Sequence, residues 1–137
     1  METRDVLLYF ALKYKGDWNS IYNAIKTKEE FENKAVENTK NAFKGNFITI
    51  LDQEYPNKLK RGFRPPFVLF YEGNINLLNN NNIISVSCSR EVAIEDYRNA
   101  ELILKNDLDV IYIVGSAKND MDQHITTFGK PTIAVMG

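Results

Sequence analysis

Three continuous apolar runs in the second half of the chain limit its fold more than any other feature of the sequence. They are IISVSC at residues 83–88, DVIYIVG at 109–115 and PTIAVMG at 131–137. None of them alternates cleanly between apolar and polar positions, which is typical of strands covered on both faces in a parallel sheet. An amphipathic stretch lies between the first two runs, with apolar residues at helical spacing: Ile94, Tyr97, Ala100 and Leu104. This arrangement predicts a strand–helix–strand unit with a right-handed crossover.

Residues 1–45 have the periodicity of helices instead. A first helix is predicted to start with Thr3 as its cap, and a second, shorter one opens at Asp17. Thr27 and Glu30 have the spacing of a capping box, which predicts the start of a third helix that stops at Gly45. We therefore expect a small helical region at the N-terminal end of the chain.

Two more strands are predicted ahead of the three apolar runs. They are FITIL at residues 47–51 and the run within PPFVLFYEG at residues 65–73, both rich in β-branched and aromatic residues. Together these elements predict an α/β protein with a Rossmann-like, mostly parallel sheet at residues 46–137. The helical region at residues 1–45 is then a small N-terminal extension of that domain.

The overall composition restricts the classes of partner. The chain has 17 basic and 18 acidic residues and a net charge of -1, so a polyanion must be met by a local cluster of cations. The single cysteine, Cys88, excludes an intrachain disulfide and fits a reducing compartment. We find neither a long apolar run of the kind that spans a bilayer nor a signal peptide, and we expect a cytoplasmic protein without membrane partners.

Two predicted strand ends carry residues suited to phosphate binding. Ligands of open α/β sheets bind at the carboxyl ends of the strands, where small residues let the backbone approach an anion and a long cation reaches it. The candidate residues are Ser89 and Arg90 after the first run, and Gly115, Ser116, Ala117 and Lys118 after the second. Simpler roles stay open for these residues: a local ion pair, a helix cap, a turn or a solvated surface.

A third candidate site is a run of cations between the strand predicted at residues 47–51 and the strand predicted within residues 65–73. Lys58, Lys60, Arg61 and Arg64 lie close together, with Phe63 among them. Cations interleaved with an aromatic ring suit a strand of nucleic acid, whose backbone takes the charges while a base stacks. The alternative is an ordinary solvated face.

The sequence offers little for metal or catalytic chemistry. His124 follows Asp120 at helical spacing, so the carboxylate is expected to orient the imidazole if it is not merely a surface histidine. Cys88 has no partner in a recognisable nucleophile signature, and we interpret it as a small buried apolar residue. The chain lacks a phosphate-binding P-loop, a dinucleotide fingerprint and a zinc-protease motif. We therefore expect no metal, no cofactor and no catalytic residue.

The same segments, in this order, resemble the DNA-processing protein A (DprA/Smf) family, whose members act in DNA uptake and recombination. The resemblance covers residues 47–137 and rests on these segments: YPNKL (55–59), PPFVLFYEG (65–73), CSR (88–90), VGSAKND (114–120) with His124, and TIAVMG (132–137). The chain differs from the family pattern at Cys88 and Asn119, which replace glycines, and at Val114, which replaces a serine. Family members also continue beyond the last of these segments.

The resemblance implies a Rossmann-like domain that binds single-stranded DNA through phosphate contacts and passes it to a RecA-type recombinase. Ser89 and Arg90 match the family's first loop, and Gly115, Ala117 and Lys118 match its second. Our leading hypothesis is a non-enzymatic binder of single-stranded DNA, with self-association as an open possibility. The rival hypothesis is a protein that senses or sequesters a nucleotide or a nucleotide-derived signal, for example on behalf of a mobile element. An enzyme of similar fold that cleaves nucleotides would need a glycine-rich loop with a catalytic glutamate, which the sequence lacks.

Overall fold

The computed structural model describes residues 1–89, 91–105, 109–115 and 119–136. The chain divides into two compact units, Met1–Ile75 and Asn76–Gly137. The first unit contains the predicted helical region and the first two predicted strands. The predicted domain boundary after residue 45 stays a prediction, because a compact unit of the structure and a domain of a family are different divisions of a chain.

The first unit begins with helices α1 (Thr3–Lys13), α2 (Trp18–Lys26) and α3 (Asn33–Ala42). Asp17 caps α2 as predicted, since its carboxylate accepts a hydrogen bond of 2.8 Å from the Ser20 N–H. Thr3, however, is the first helical residue of α1 rather than its cap, a position that Glu2 takes. Helices α1 and α2 pack through a cluster of buried residues: Phe10, Ala11, Ile21 and Ala24.

The prediction for the start of the third helix was wrong. Thr27 belongs to the end of α2, where its hydroxyl donates to the Asn23 carbonyl at 2.8 Å. It is therefore not available to cap a following helix, and α3 begins only after Glu32. The same helix ends at Ala42, before Gly45, because Phe43 adopts extended backbone angles.

The two predicted strands of the first unit form a separate sheet. Strands β1 (Asn46–Thr49) and β2 (Val68–Tyr71) pair antiparallel, and the short helix α4 (Asn57–Lys60) lies between them in the chain. Ile48 and Thr49 are buried. Phe67 and Val68 pack against the helical cluster, so the sheet and the helices share one core.

The second unit contains the parallel sheet that the apolar runs predict. A 3-10 helix (Ile75–Asn79) begins at the last residue of the first unit. The elements that follow it are β3 (Ile83–Ser85), α5 (Ile94–Leu104), β4 (Ile111–Val114), α6 (Asp120–Thr126) and β5 (Thr132–Ala134). Among the described residues the strands follow the order β3-β4-β5, and both pairings are parallel. The α/β prediction with a parallel sheet is therefore confirmed.

The core of the second unit lies between β4, α5 and α6. Its buried residues are Val110, Tyr112, Val114, Met121, Ile125 and Phe128. Three of the four apolar residues that predict α5, Tyr97, Ala100 and Leu104, pack against this cluster. The fourth, Ile94, is 74% exposed because it starts the helix.

A buried carboxylate joins α1 to α3 in the first unit. Asp5 is 3% exposed, and its Oδ2 accepts hydrogen bonds from the Glu2 N–H at 3.0 Å and from Lys40 Nζ at 2.9 Å. Burial alone raises the pKa of Asp5, but these two donors outweigh it and hold the pKa below its ordinary value of 3.8. The ionised form of Asp5 therefore stabilises the fold.

Replacing Asp5 by Asn should lower the free energy of unfolding by about 1 to 3 kcal/mol near neutral pH, because Lys40 loses its buried partner. Since the pKa is lowered on folding, the stabilisation is present above the unfolded-state value and is lost as the pH falls through the folded-state value. The difference between wild type and variant should therefore shrink in acid, as measured by urea unfolding over a pH series. Glu37→Gln, an exposed carboxylate on α3, is the control. A difference that does not change with pH would contradict the assignment.

Candidate nucleic-acid interface

The segments that follow β3 and β4 leave the sheet at the same edge. Ser85 at the end of β3 pairs with Ile113 of β4, and the Val86 N–H donates to the Ile113 carbonyl at 2.9 Å. Because the two strands are parallel neighbours, their carboxyl ends point the same way. This edge is where open α/β sheets bind ligands. The segments containing Ser89 and Gly115 therefore begin side by side.

The residues predicted to contact a phosphate are described only in part. Ser89 and Gly115 are described, and both are exposed. The others, Arg90, Ser116, Ala117 and Lys118, lie outside the described residues. The expectation that Arg90 and Lys118 hold one shared anion therefore stays a prediction.

Ser89 does not cap a helix. Helix α5 begins at Ile94 with Ala93 in its N-cap position, and the Ser89 hydroxyl instead donates to the Glu91 carbonyl at 2.9 Å. The alternative role of Ser89 as an N-cap was wrong, because the chain makes a non-helical segment first.

Gly115 lies against a buried carboxylate. Asp122, in the first turn of α6, is 4% exposed, and a Cβ added at Gly115 would lie 3.0 Å from its Oδ2. Asn119 fixes this turn, since its side chain accepts a hydrogen bond of 2.7 Å from the Asp122 N–H. A larger residue at position 115 would thus push against Asp122. Burial of Asp122 was not predicted from the sequence, because an aspartate is most often found at the surface.

The imidazole of His124 meets a different carboxylate from the predicted one. Its Nε2 lies 3.2 Å from the Glu101 carboxylate of α5, without the geometry of a hydrogen bond. The ring packs edge-on against Tyr97 and Phe128, at centroid distances of 4.9 and 5.2 Å. The prediction that Asp120 orients His124 is replaced by this contact between α5 and α6.

Cys88 is a half-buried free cysteine that packs against the core of the second unit, as interpreted from the sequence. In the described part of the chain, no group of three or more His, Cys, Asp or Glu side chains is arranged to hold a metal ion. None of the described helices has the length and apolar character needed to cross a bilayer.

The basic run of the first unit lies on residues 56–65, a segment that is exposed except at its two terminal prolines and that we call the basic loop. Its cations Lys58, Lys60, Arg61 and Arg64 are all exposed. The first three form no ion pair with any residue that the structure describes. Phe63 is 90% exposed among them. The loop thus presents unpaired positive charge together with an exposed aromatic ring.

Two hydrogen bonds fix the C-terminal end of the basic loop. The Tyr55 hydroxyl donates to the Pro66 carbonyl at 2.7 Å, and the Trp18 Nε1–H donates to the Pro65 carbonyl at 3.0 Å. Tyr55 is 2% exposed, and its burial raises the pKa of the hydroxyl to about 12. Because Tyr55 directly precedes the loop, its bond to Pro66 also joins the two ends. The loop is therefore held on a defined base.

Arg64 connects the loop to the aromatic residues of α2. Its backbone φ of +52° is in the left-handed region, which costs a residue with a side chain about 1 to 2 kcal/mol. The guanidinium lies 5.3 Å from the Trp18 ring centroid and 5.1 Å from that of Phe63. Trp18 in turn stacks on Tyr22 at 5.0 Å. The sequence gives no sign that Trp18 belongs to this site, because only tertiary packing brings α2 to the loop.

Comparisons with known proteins agree with this architecture. Residues 46–137 match the family described as DNA recombination-mediator protein A. Protein Smf of Borreliella burgdorferi is 30% identical over 115 residues, which cover 78% of this chain and 34% of that protein. The X-ray structure of DNA processing protein A (DprA) from Streptococcus pneumoniae has the same fold, with a TM-score of 0.61 at 20% identity.

That structural match covers 99% of this chain and 53% of the other. The chain therefore spans about a third of the curated relative and about half of the solved structure. The family match covers more than half of the chain and includes the segments on which the resemblance rests. The chain belongs to the DNA recombination-mediator protein A (DprA/Smf) family.

Proposed function

We propose that this protein binds single-stranded DNA in the cytoplasm and takes part in DNA recombination as a binding protein rather than an enzyme. The observation that carries the proposal is the shared sheet edge, at which the segments after β3 and β4 begin side by side. In this proposal Ser89, Gly115, Ser116 and Ala117 let the backbone approach the phosphates, while Arg90 and Lys118 neutralise them. Lys58, Lys60, Arg61 and Arg64 neutralise further phosphates from the first unit.

The acidic side chain at the sheet edge supports a role for both cations. The buried carboxylate of Asp122 lies against Gly115, so this edge already carries negative charge. A phosphate placed there is repelled unless cations outweigh the acid. Arg90 and Lys118 follow the two neighbouring strand ends and are the cations closest in sequence to that place.

Family membership supports two proposals about partners. A recombination mediator must hand its DNA to another protein, and we propose a RecA-type recombinase as the recipient. Self-association would place several DNA-binding edges on one strand, which raises the overall affinity without new contacts. We therefore propose that copies of the protein associate with one another on DNA.

Binding of a single-stranded oligonucleotide should weaken with salt, with a log-log slope of roughly -0.7 for each phosphate neutralised. Arg90→Ala and Lys118→Ala should each reduce the slope by about 0.7 and the affinity about 5-fold at about 0.1 M salt. A fluorescence-anisotropy titration at several salt concentrations measures both quantities. Lys34→Ala, an exposed lysine of α3, is the control. No binding of the wild type at low salt would contradict the proposal.

The second candidate function is binding of a nucleotide or a nucleotide-derived signal at the same sheet edge. The net charge of -1 favours a small ligand over a long polyanion. A ligand at about 100 times its dissociation constant adds about 2.7 kcal/mol of stability, which a thermal-shift assay detects. Stabilisation by an oligonucleotide but by no mononucleotide would exclude this candidate.

A further inference from the structure

We propose that Phe63 stacks against unpaired bases and makes the basic loop selective for single strands over duplex DNA. The proposal rests on the proposed function and adds a recognition element in the first unit, separate from the phosphate contacts at the sheet edge. Three observations carry it: the exposure of Phe63, the strained backbone of Arg64, and the unpaired cations beside them.

Phe63 is the most exposed large apolar side chain among the described residues, at 90%. Burying a phenylalanine side chain stabilises a fold by about 1.5 to 3 kcal/mol. Because Phe63 is exposed, the fold gains almost none of this stabilisation from it. A single exposed apolar residue is common on protein surfaces. Phe63 differs because it lies on an anchored loop, close to three cations that form no ion pair with described residues: Lys58, Lys60 and Arg61.

Arg64 supports one side of the Phe63 ring. Its guanidinium lies over the ring at 5.1 Å and over Trp18 at 5.3 Å, so it bridges the exposed ring to the helix-borne aromatic residue. The left-handed φ of Arg64 is an unfavourable conformation of the kind that concentrates at functional sites. Arg64 thus contacts the ring of Phe63, and the high exposure of that ring leaves surface free for a ligand.

The ligand that matches this surface is a nucleobase flanked by phosphates. A base offers a flat π face to the ring, and Lys58, Lys60 and Arg61 supply unpaired charge for the adjacent backbone. A base within a duplex is already stacked on both sides, and extruding it costs a few kcal/mol. Stacking on Phe63 is thus open to single strands and disfavoured for duplexes.

The test compares Phe63→Ala with Phe63→Tyr in the full chain, against oligo-dT, an abasic oligonucleotide of equal length and a duplex. Phe63→Ala should weaken oligo-dT binding about 10- to 100-fold and leave the salt slope unchanged, because no phosphate contact is removed. Binding of the abasic strand and of the duplex should stay at wild-type levels. Phe63→Tyr should retain the wild-type affinity for oligo-dT, since a tyrosine ring also stacks.

Trp18 is the sole tryptophan of the chain, and its emission reports whether the neighbouring contacts survive in each variant. Wild-type affinity of Phe63→Ala for oligo-dT would overturn the stacking proposal and leave DNA binding intact. Equal weakening for oligo-dT and the abasic strand would also overturn it, because bases would then play no part. If the wild type bound none of the three ligands, the proposed function would be overturned, and the stacking proposal with it.

Discussion

Replacing Lys58, Lys60 and Arg61 together by Ala should weaken binding of single-stranded DNA about 100-fold at about 0.1 M salt. Each phosphate contact contributes a slope of roughly -0.7, which amounts to about 5-fold in affinity at that salt concentration. The three side chains are exposed and form no ion pair with described residues, so no residue in that part of the chain neutralises their charge. Their removal should cost affinity without costing stability.

The salt series separates this effect from a loss of folding. The slope of the triple variant should be less steep than that of the wild type by about 2, because three counterion-releasing contacts are gone. The affinities of the two proteins should therefore converge as the salt concentration approaches about 1 M. Parallel salt curves would show that the variant lost affinity for another reason.

A second triple variant controls for net charge. Lys34→Ala, Lys44→Ala and Lys28→Asn remove the same charge from exposed positions of the first unit. Asparagine is used at Lys28 because φ is +53° there, in the left-handed region that asparagine tolerates. Its affinity and slope should stay near the wild-type values. Equal losses in both triple variants would contradict a local role for the basic loop.

Ile125→Ala should reduce the free energy of unfolding by about 2 to 5 kcal/mol. Ile125 is 0% exposed in the core between α6 and β4, where it shares a cluster with Tyr112 and Phe128. Truncating it removes apolar contacts and leaves a cavity in a small unit that has few other buried residues. Urea unfolding followed by circular dichroism measures the change.

Ile94→Ala is the matched control for that experiment. The residue type and the substitution are the same, and both positions lie on helices of the second unit. Ile94 is 74% exposed, so its truncation should change the stability by no more than about 0.5 kcal/mol. Comparable losses at the two positions would contradict the assignment of Ile125 to the core.

The sequence predictions that the structure confirms are those in which the indicative residues lie within the predicted element itself. The apolar runs predicted β3, β4 and β5 because they are rich in the β-branched residues that strands prefer. Only the central strand, β4, is mostly buried, so the expected cover on both faces holds for that strand and not for β3 or β5. Asp17 predicted the start of α2 because capping depends on residues only three positions apart. The same rule led to a wrong prediction at Thr27. Its hydroxyl is suited either to the end of α2 or to the start of α3, and the spacing of residues alone does not decide between them.

The sequence by itself determined the α/β class, the order of the strands along the chain and the cations that define the basic loop. Tertiary structure alone decided which distant groups meet: Trp18 with Arg64, Glu101 with His124, and Asp122 with Gly115. The physical reason is that periodicity and capping act within a few residues of the chain. Contacts between elements depend on how their faces pack together, and no local spacing encodes that packing.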